Sequence, residues 1–101
     1  MARRNQFSVN AESVQGNAGA EITFKLITLG TRDRYFRDPD YGDIDLLNDH
    51  IIDWRGIVDD DGNEIPSPKD EPGVQASLYM SEVSEIIALL FDGQRQDLPK
   101  N

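Results

Sequence analysis

One run of alternating residues constrains this chain more than any other. In Glu21-Ile22-Thr23-Phe24-Lys25-Leu26-Ile27-Thr28-Leu29, Ile22, Phe24 and Leu26 share one face, and Thr23 and Lys25 share the other. A period of two with β-branched and aromatic content predicts a strand, and Gly30 ends it. A lone strand is not stable in water, so this one needs a partner from the N-terminal segment or from a second subunit. Residues 1–20 are short of apolar surface and read as a flexible lead, with Phe7, Val9 and Val14 offering at most a short edge strand.

Two helices are expected downstream. Ile44, Leu47, Ile51 and Trp54 are spaced as one helical stripe, with Asp43 and Asp45 in the first turn and Arg55-Gly56 as the stop. From Val74 the pattern is helical again. Tyr79, Val83, Ile86, Ile87 and Leu90 lie on one face, and Asp92-Gly93 ends the helix. Asp38-Pro39-Asp40-Tyr41-Gly42 reads as a turn, Ile57 to Pro66 as a tight reversal around Asp61-Gly62, and Ser67 to Gly73 as a loop. The expected fold is a small α+β domain, mainly helical, with a short N-terminal β element and two principal helices. It occupies residues 21–93, and 94–101 form a polar tail. Its expected core is Phe24, Leu26, Leu47, Ile51, Trp54, Ile57, Val83, Ile86, Ile87 and Leu90.

Charge is segregated. The chain of 101 residues carries a net −9. Residues 38–71 hold twelve acids against two bases, Arg55 and Lys69, a net of −10, and the remainder is close to neutral. Such a field repels nucleic acid and anionic membrane and favours a basic partner. Upstream, Arg32, Arg34 and Arg37 surround Tyr35 and Phe36 in a basic, aromatic stretch.

The chemistry-bearing residues do not assemble into a catalytic pattern. With no cysteine there are no disulfides and no thiolate chemistry. His50 is the one histidine and has no nucleophile and orienting acid in a triad arrangement, so it reads as a surface or helix-packing residue. The aspartate runs fail the calcium-loop spacing. Counting from Asp59, Gly62 falls at the fourth position and Asp70 at the twelfth; counting from Asp38, Gly42 falls at the fifth. Gly16-Asn17-Ala18-Gly19 lacks the lysine of a phosphate loop. No metal, no cofactor and no catalysis are expected. The start, Met1 to Gln6, lacks the apolar run of a signal peptide, and Ile86 to Phe91 is too short to span a bilayer.

One segment resembles a known family. Ile51 to Pro66 is similar to the Trp-x-Gly-Val-x-Asp-x-x-Gly-x-x-Pro-like run of tail assembly chaperones of long-tailed bacteriophages. The matching positions are Trp54, Gly56, Val58, Asp59 or Asp60, Gly62 and Pro66. Many members have an aromatic after the proline, where this chain has Ser67. The resemblance implies a helical protein made during phage morphogenesis in the bacterial host cytoplasm and absent from the mature virion. It also implies self-association, and a tape measure protein as client. The candidate partner-binding residues are Tyr35, Phe36, Trp54, Gly56, Ile57 and Val58. Two other classes fit the composition. One is an acidic inhibitor that mimics DNA and blocks a host nucleic-acid-binding protein; the other is a small structural head-tail or tail component.

Overall fold

The computed structural model describes residues 4–97. Among these the chain forms a mixed α+β domain in the order β1 (Gln6–Asn10), α1 (Glu12–Gln15), β2 (Glu21–Lys25), α2 (Leu29–Arg37), α3 (Asp43–His50), β3 (Ile51–Arg55), a 3-10 turn (Val74–Ser77) and α4 (Met80–Asp97). A three-stranded antiparallel sheet, ordered β1-β2-β3, stands at its centre. The fold is therefore α+β as expected, with the sheet larger than a short N-terminal β element.

β2 finds both its partners within the chain. Phe7 pairs with Phe24 and Val9 with Ile22 on the core face, the two phenyl rings 5.5 Å apart. Ser8 and Thr23 share a 2.7 Å hydroxyl hydrogen bond on the outer face. Residues expected to be a loose lead thus supply β1 and α1, and Phe7, Ala11 and Ala20 are buried. The strand stops at Lys25, short of Leu29. Thr28 instead caps α2, its hydroxyl accepting from the Thr31 N–H at 3.2 Å, because threonine before a helical run satisfies an otherwise orphan donor.

The helix expected through Trp54 ends at His50, and Ile51 to Arg55 become β3. The three-residue spacing of Ile51 and Trp54 fits a helical stripe, but it also fits a bulged strand. In a regular strand these two side chains would face opposite sides. Thr23 pairs with Asp53 and Phe24 with Ile51, leaving Ile52 as the extra residue, so both Ile51 and Trp54 turn inward. The buried face of α3 is then Leu46, Leu47 and His50, while Ile44 remains 38% exposed. The His50 Nδ1 lies 2.7 Å from the Leu46 carbonyl oxygen, in the buried interior.

The last helix begins at Met80 after the 3-10 turn and does not stop at Asp92-Gly93. Ile86 and Leu90 are fully buried as expected; Val83 and Ile87 are half-buried. Gln94, assigned to the tail, belongs to α4 and accepts from the Ile27 N–H at 3.0 Å; residues 98–101 lie outside the described residues. Gly93 is a point of close approach. A Cβ there would lie 2.2 Å from the Phe7 ring, so only glycine lets α4 cross β1 at this distance. In an exposed helix, Gly→Ala stabilises by about 1 kcal/mol. Here the sign reverses: Gly93→Ala lowers the unfolding free energy by about 1–3 kcal/mol, as overpacking does. Urea denaturation checks this, and a stabilised variant would refute the crossing.

Candidate protein-binding site

The segment that carries the resemblance folds as a small hairpin. Gly56 adopts φ +75°, and a Cβ there would sit 2.8 Å from the Ala20 Cα, so glycine is required both by conformation and by space. The Ile65 N–H donates to the Ile57 carbonyl at 2.7 Å, and Val58 bridges Glu64. At the tip, the Asp59 carboxylate accepts from the N–H groups of Asp61 at 3.0 Å and Asn63 at 2.9 Å, and Gly62 takes φ +82°. These are the local bonds that make aspartate and glycine turn residues. The Asp59 side chain is therefore spent on the turn. Among the described residues no group of three or more His, Cys, Asp or Glu side chains is gathered as a metal site would need.

Trp54 locks the hairpin to the core, its indole N–H donating to the Ile65 carbonyl at 3.0 Å. A second lock is Gln15, which the sequence reading missed. Its Oε1 accepts from the Val58 N–H at 2.9 Å and its Nε2 donates to the Val58 carbonyl at 2.8 Å. The same Nε2 reaches Glu82 of α4 at 2.6 Å, and Glu82 accepts from the Tyr79 N–H at 2.8 Å. The side-chain amide thus pairs with Val58 as a neighbouring strand would. No sequence signal marks Gln15, because its partners lie 43 and 67 residues away.

The six candidate residues accordingly separate. Trp54 is 5% exposed and Ile57 fully buried. Gly56 is wedged against Ala20, and the Val58 backbone is held by Gln15. Trp54 and Ile57 thus build the core and Gly56 the corner, while the half-buried Val58 side chain lines a hollow with Gln15, Ile65 and Tyr79. Tyr35 and Phe36 lie elsewhere, on α2. They form a ring cluster with Phe91 of α4, with centroids 5.2 to 5.9 Å apart, and Arg32 lies over Phe36 at 5.9 Å. Phe36 is 65% exposed and α2 contains no buried residue. The large apolar side chains left exposed are Leu29 and Phe36 on α2, Ile44 on α3, Tyr79 just before α4 and Met80 at its first position. Between α3 and α4 lies a groove of about 330 Å³, lined by Ile44, Ala76, Leu78, Met80 and Val83 with Asp43 and Gln75. The sequence reading placed Tyr79 on the buried face of its helix and did not single out Ile44 or Met80 as surface residues.

Three tyrosines tie this surface to aspartates. Tyr35 donates to Asp43 at 2.7 Å, Tyr41 to Asp49 at 2.6 Å, and Tyr79 to Asp60 at 2.6 Å. Burial, then the hydrogen bond to Asp43, push the Tyr35 phenol up to about 12. Burial and Asp49 also raise Tyr41, and for Tyr79 the hydrogen bond to Asp60 leads.

Comparison with known proteins returns no match: no family model, no curated protein and no solved structure corresponds to this chain.

Two predictions follow from these bonds. Gln15→Ala leaves both Val58 backbone groups without their partner and lowers stability by about 1–3 kcal/mol in urea denaturation; an unchanged midpoint would deny the lock. The tyrosines give an alkaline limit. Each folded-state phenol keeps its proton where the unfolded chain, at about 10, has lost it. That stability is complete below the unfolded value and disappears as pH rises toward about 12. Denaturation midpoints should fall across this window, and less steeply for Tyr35→Phe; parallel curves would count against the Tyr35–Asp43 bond.

Proposed function

We propose that the chain is a tail assembly chaperone of a long-tailed bacteriophage, which binds the tape measure protein and keeps it soluble while the tail is built. The carrying observation is the partition of labour just described. The family-like segment is consumed in a hairpin locked to the core, and an acidic chain exposes Phe36, Ile44 and Met80 on its helices and Tyr79 just before α4. Exposed apolar surface on a small domain marks an interaction site. A tape measure protein, long and helical, offers apolar stripes in need of cover. In this reading the protein acts by binding, without catalysis or cofactor, in the bacterial cytoplasm. It self-associates and is absent from the virion. No helix among the described residues is long and apolar enough to cross a membrane.

The DNA-mimic reading draws less support. Asp43, Asp49 and Asp60 are held by tyrosines, Asp53 accepts from Ser67, and Asp59 is spent in a turn. Carboxylates bound by their own chain are poorly placed to imitate a row of phosphates.

Co-expression with the cognate tape measure protein tests the proposal. The expected result is a soluble complex that persists at moderate salt, with the chain missing from purified particles by mass spectrometry. A tape measure protein that precipitates equally with and without the chain would overturn the reading, and so would the chain's presence in virions.

A further inference from the structure

We infer that β1 is an open sheet edge that pairs with β1 of a second copy of this chain, antiparallel about a two-fold axis at Ser8, so that two three-stranded sheets join into one. The inference rests on the self-association in the chaperone reading and names its surface.

β1 lies at one edge of the sheet, with β2 as its neighbour. Along an antiparallel ladder alternate residues bond to the partner strand, and those between direct their N–H and C=O the other way. The ladder with β2 is regular from Gln6 to Asn10. Two bonds at its ends set the alternation: the Leu26 N–H donates to the Asn5 carbonyl at 2.8 Å, and the Ala11 N–H to the Ala20 carbonyl at 2.8 Å. The odd-numbered residues of β1 therefore bond to β2. Gln6, Ser8 and Asn10 turn their backbone groups outward, and all three are exposed. Among the described residues no backbone group meets them across the edge; the Arg4 Nε reaches the Gln6 carbonyl at 3.3 Å.

Folded proteins blunt sheet edges with charge, proline or a bulge, because a bare edge pairs with another strand. β3, at the opposite edge, is blunted by the bulge at Ile52 and by Asp53 and Arg55. β1 reads Gln-Phe-Ser-Val-Asn, with no charge, no proline and no bulge.

Three features choose a second copy as the occupant. With Ser8 set against itself, Gln6 meets Asn10 and Asn10 meets Gln6, so every outward group of both strands finds a partner in a contact that closes on itself. The same register sets the half-buried Val9 beside Phe7 of the second copy on the core face. Charge agrees. The chain is acidic overall, but residues 1–37 carry six bases against three acids, so the copies approach here away from their acidic segments. At each end of the paired strands the exposed Arg4 of one copy approaches the exposed Glu12 of the other.

The chain has no cysteine, so single cysteines introduced into the full chain report the register. In the paired strands the two Ser8 Cα atoms lie about 5.5 Å apart, within disulfide reach. The two Gln6 Cα atoms are about 14 Å apart, beyond it. Sedimentation velocity should show a concentration-dependent dimer. On air oxidation Ser8→Cys should form a covalent dimer at least about tenfold faster than Gln6→Cys. Ser8→Lys sets two ammonium groups side by side and should weaken the dimer about tenfold or more, with an unchanged circular dichroism spectrum. Arg4→Glu should weaken it about threefold, and adding Glu12→Arg should restore it, a recovery that damage to the fold would not give. Equal cross-linking at both positions, or a dimer indifferent to Ser8→Lys, overturns the inference. So does a chain that stays monomeric at every concentration, including one whose edge takes up a foreign strand peptide instead. The two readings fail separately. If the native chain is monomeric and still keeps the tape measure protein soluble, the edge pairing falls and the chaperone stands. If Ser8→Cys cross-links and the tape measure protein precipitates regardless, the edge pairing stands and the chaperone falls.

Discussion

An indole N–H carried into an apolar core must find an acceptor, and that of Trp54 finds the carbonyl of Ile65. Much of this structure is arranged around that bond. Trp54 points inward only because Ile52 is bulged out of register against β2. Once it does, the returning arm of the hairpin is fixed in place over it. Gly56 then makes the turn away from β3, in a space that Ala20 leaves too tight for any side chain. With the hairpin fixed, Val58 presents both backbone groups to Gln15, and Gln15 links α1 to Glu82 of α4. One buried donor thus organises strand, hairpin and two helices.

The segment from Trp54 to Pro66 is accordingly tied into the fold at both ends. Tryptophan, glycine, aspartate and glycine each answer a local requirement: a buried anchor, a left-handed corner, a turn acceptor, a second left-handed corner. A motif of that kind can recur in proteins that need the same hairpin, whatever they bind. Ser67, just after the hairpin, donates to Asp53 on the outer side of β3 and so closes the loop by a polar contact.

Legibility in the sequence follows the range of the interactions. β2 was readable because alternation is local, and its core residues Ile22 and Phe24 are fully buried. The hairpin was readable because Asp and Gly act within a few residues. Leu47, Trp54, Ile57, Ile86 and Leu90 were placed in the core correctly, since large apolar side chains have nowhere better to go. The end of α3 was not readable: Ile51 and Trp54 suit a helix face and a bulged strand equally, and pairing with β2 decides between them. Gly93 looked like a helix stop because an isolated glycine usually is one; the nearness of Phe7, from the far end of the chain, gives it a different purpose. The N-terminal residues looked too polar to fold because only one face of β1 is needed, and Phe7 and Val9 suffice for it.

Of the six candidate residues, Phe36 is exposed and Tyr35 half-buried on α2, whereas Trp54 and Ile57 lie in the core. An aromatic or aliphatic side chain announces that it will be covered, but not whether its own chain or another molecule will cover it. Composition, charge placement, the central strand and the Asp-Gly turn were determined by residues acting on their neighbours. The bulge at Ile52, the Gln15 lock, the passage of α4 over β1 and the groove beside Gln75 were decided only when distant segments met, because each depends on a distance between atoms that no local pattern encodes.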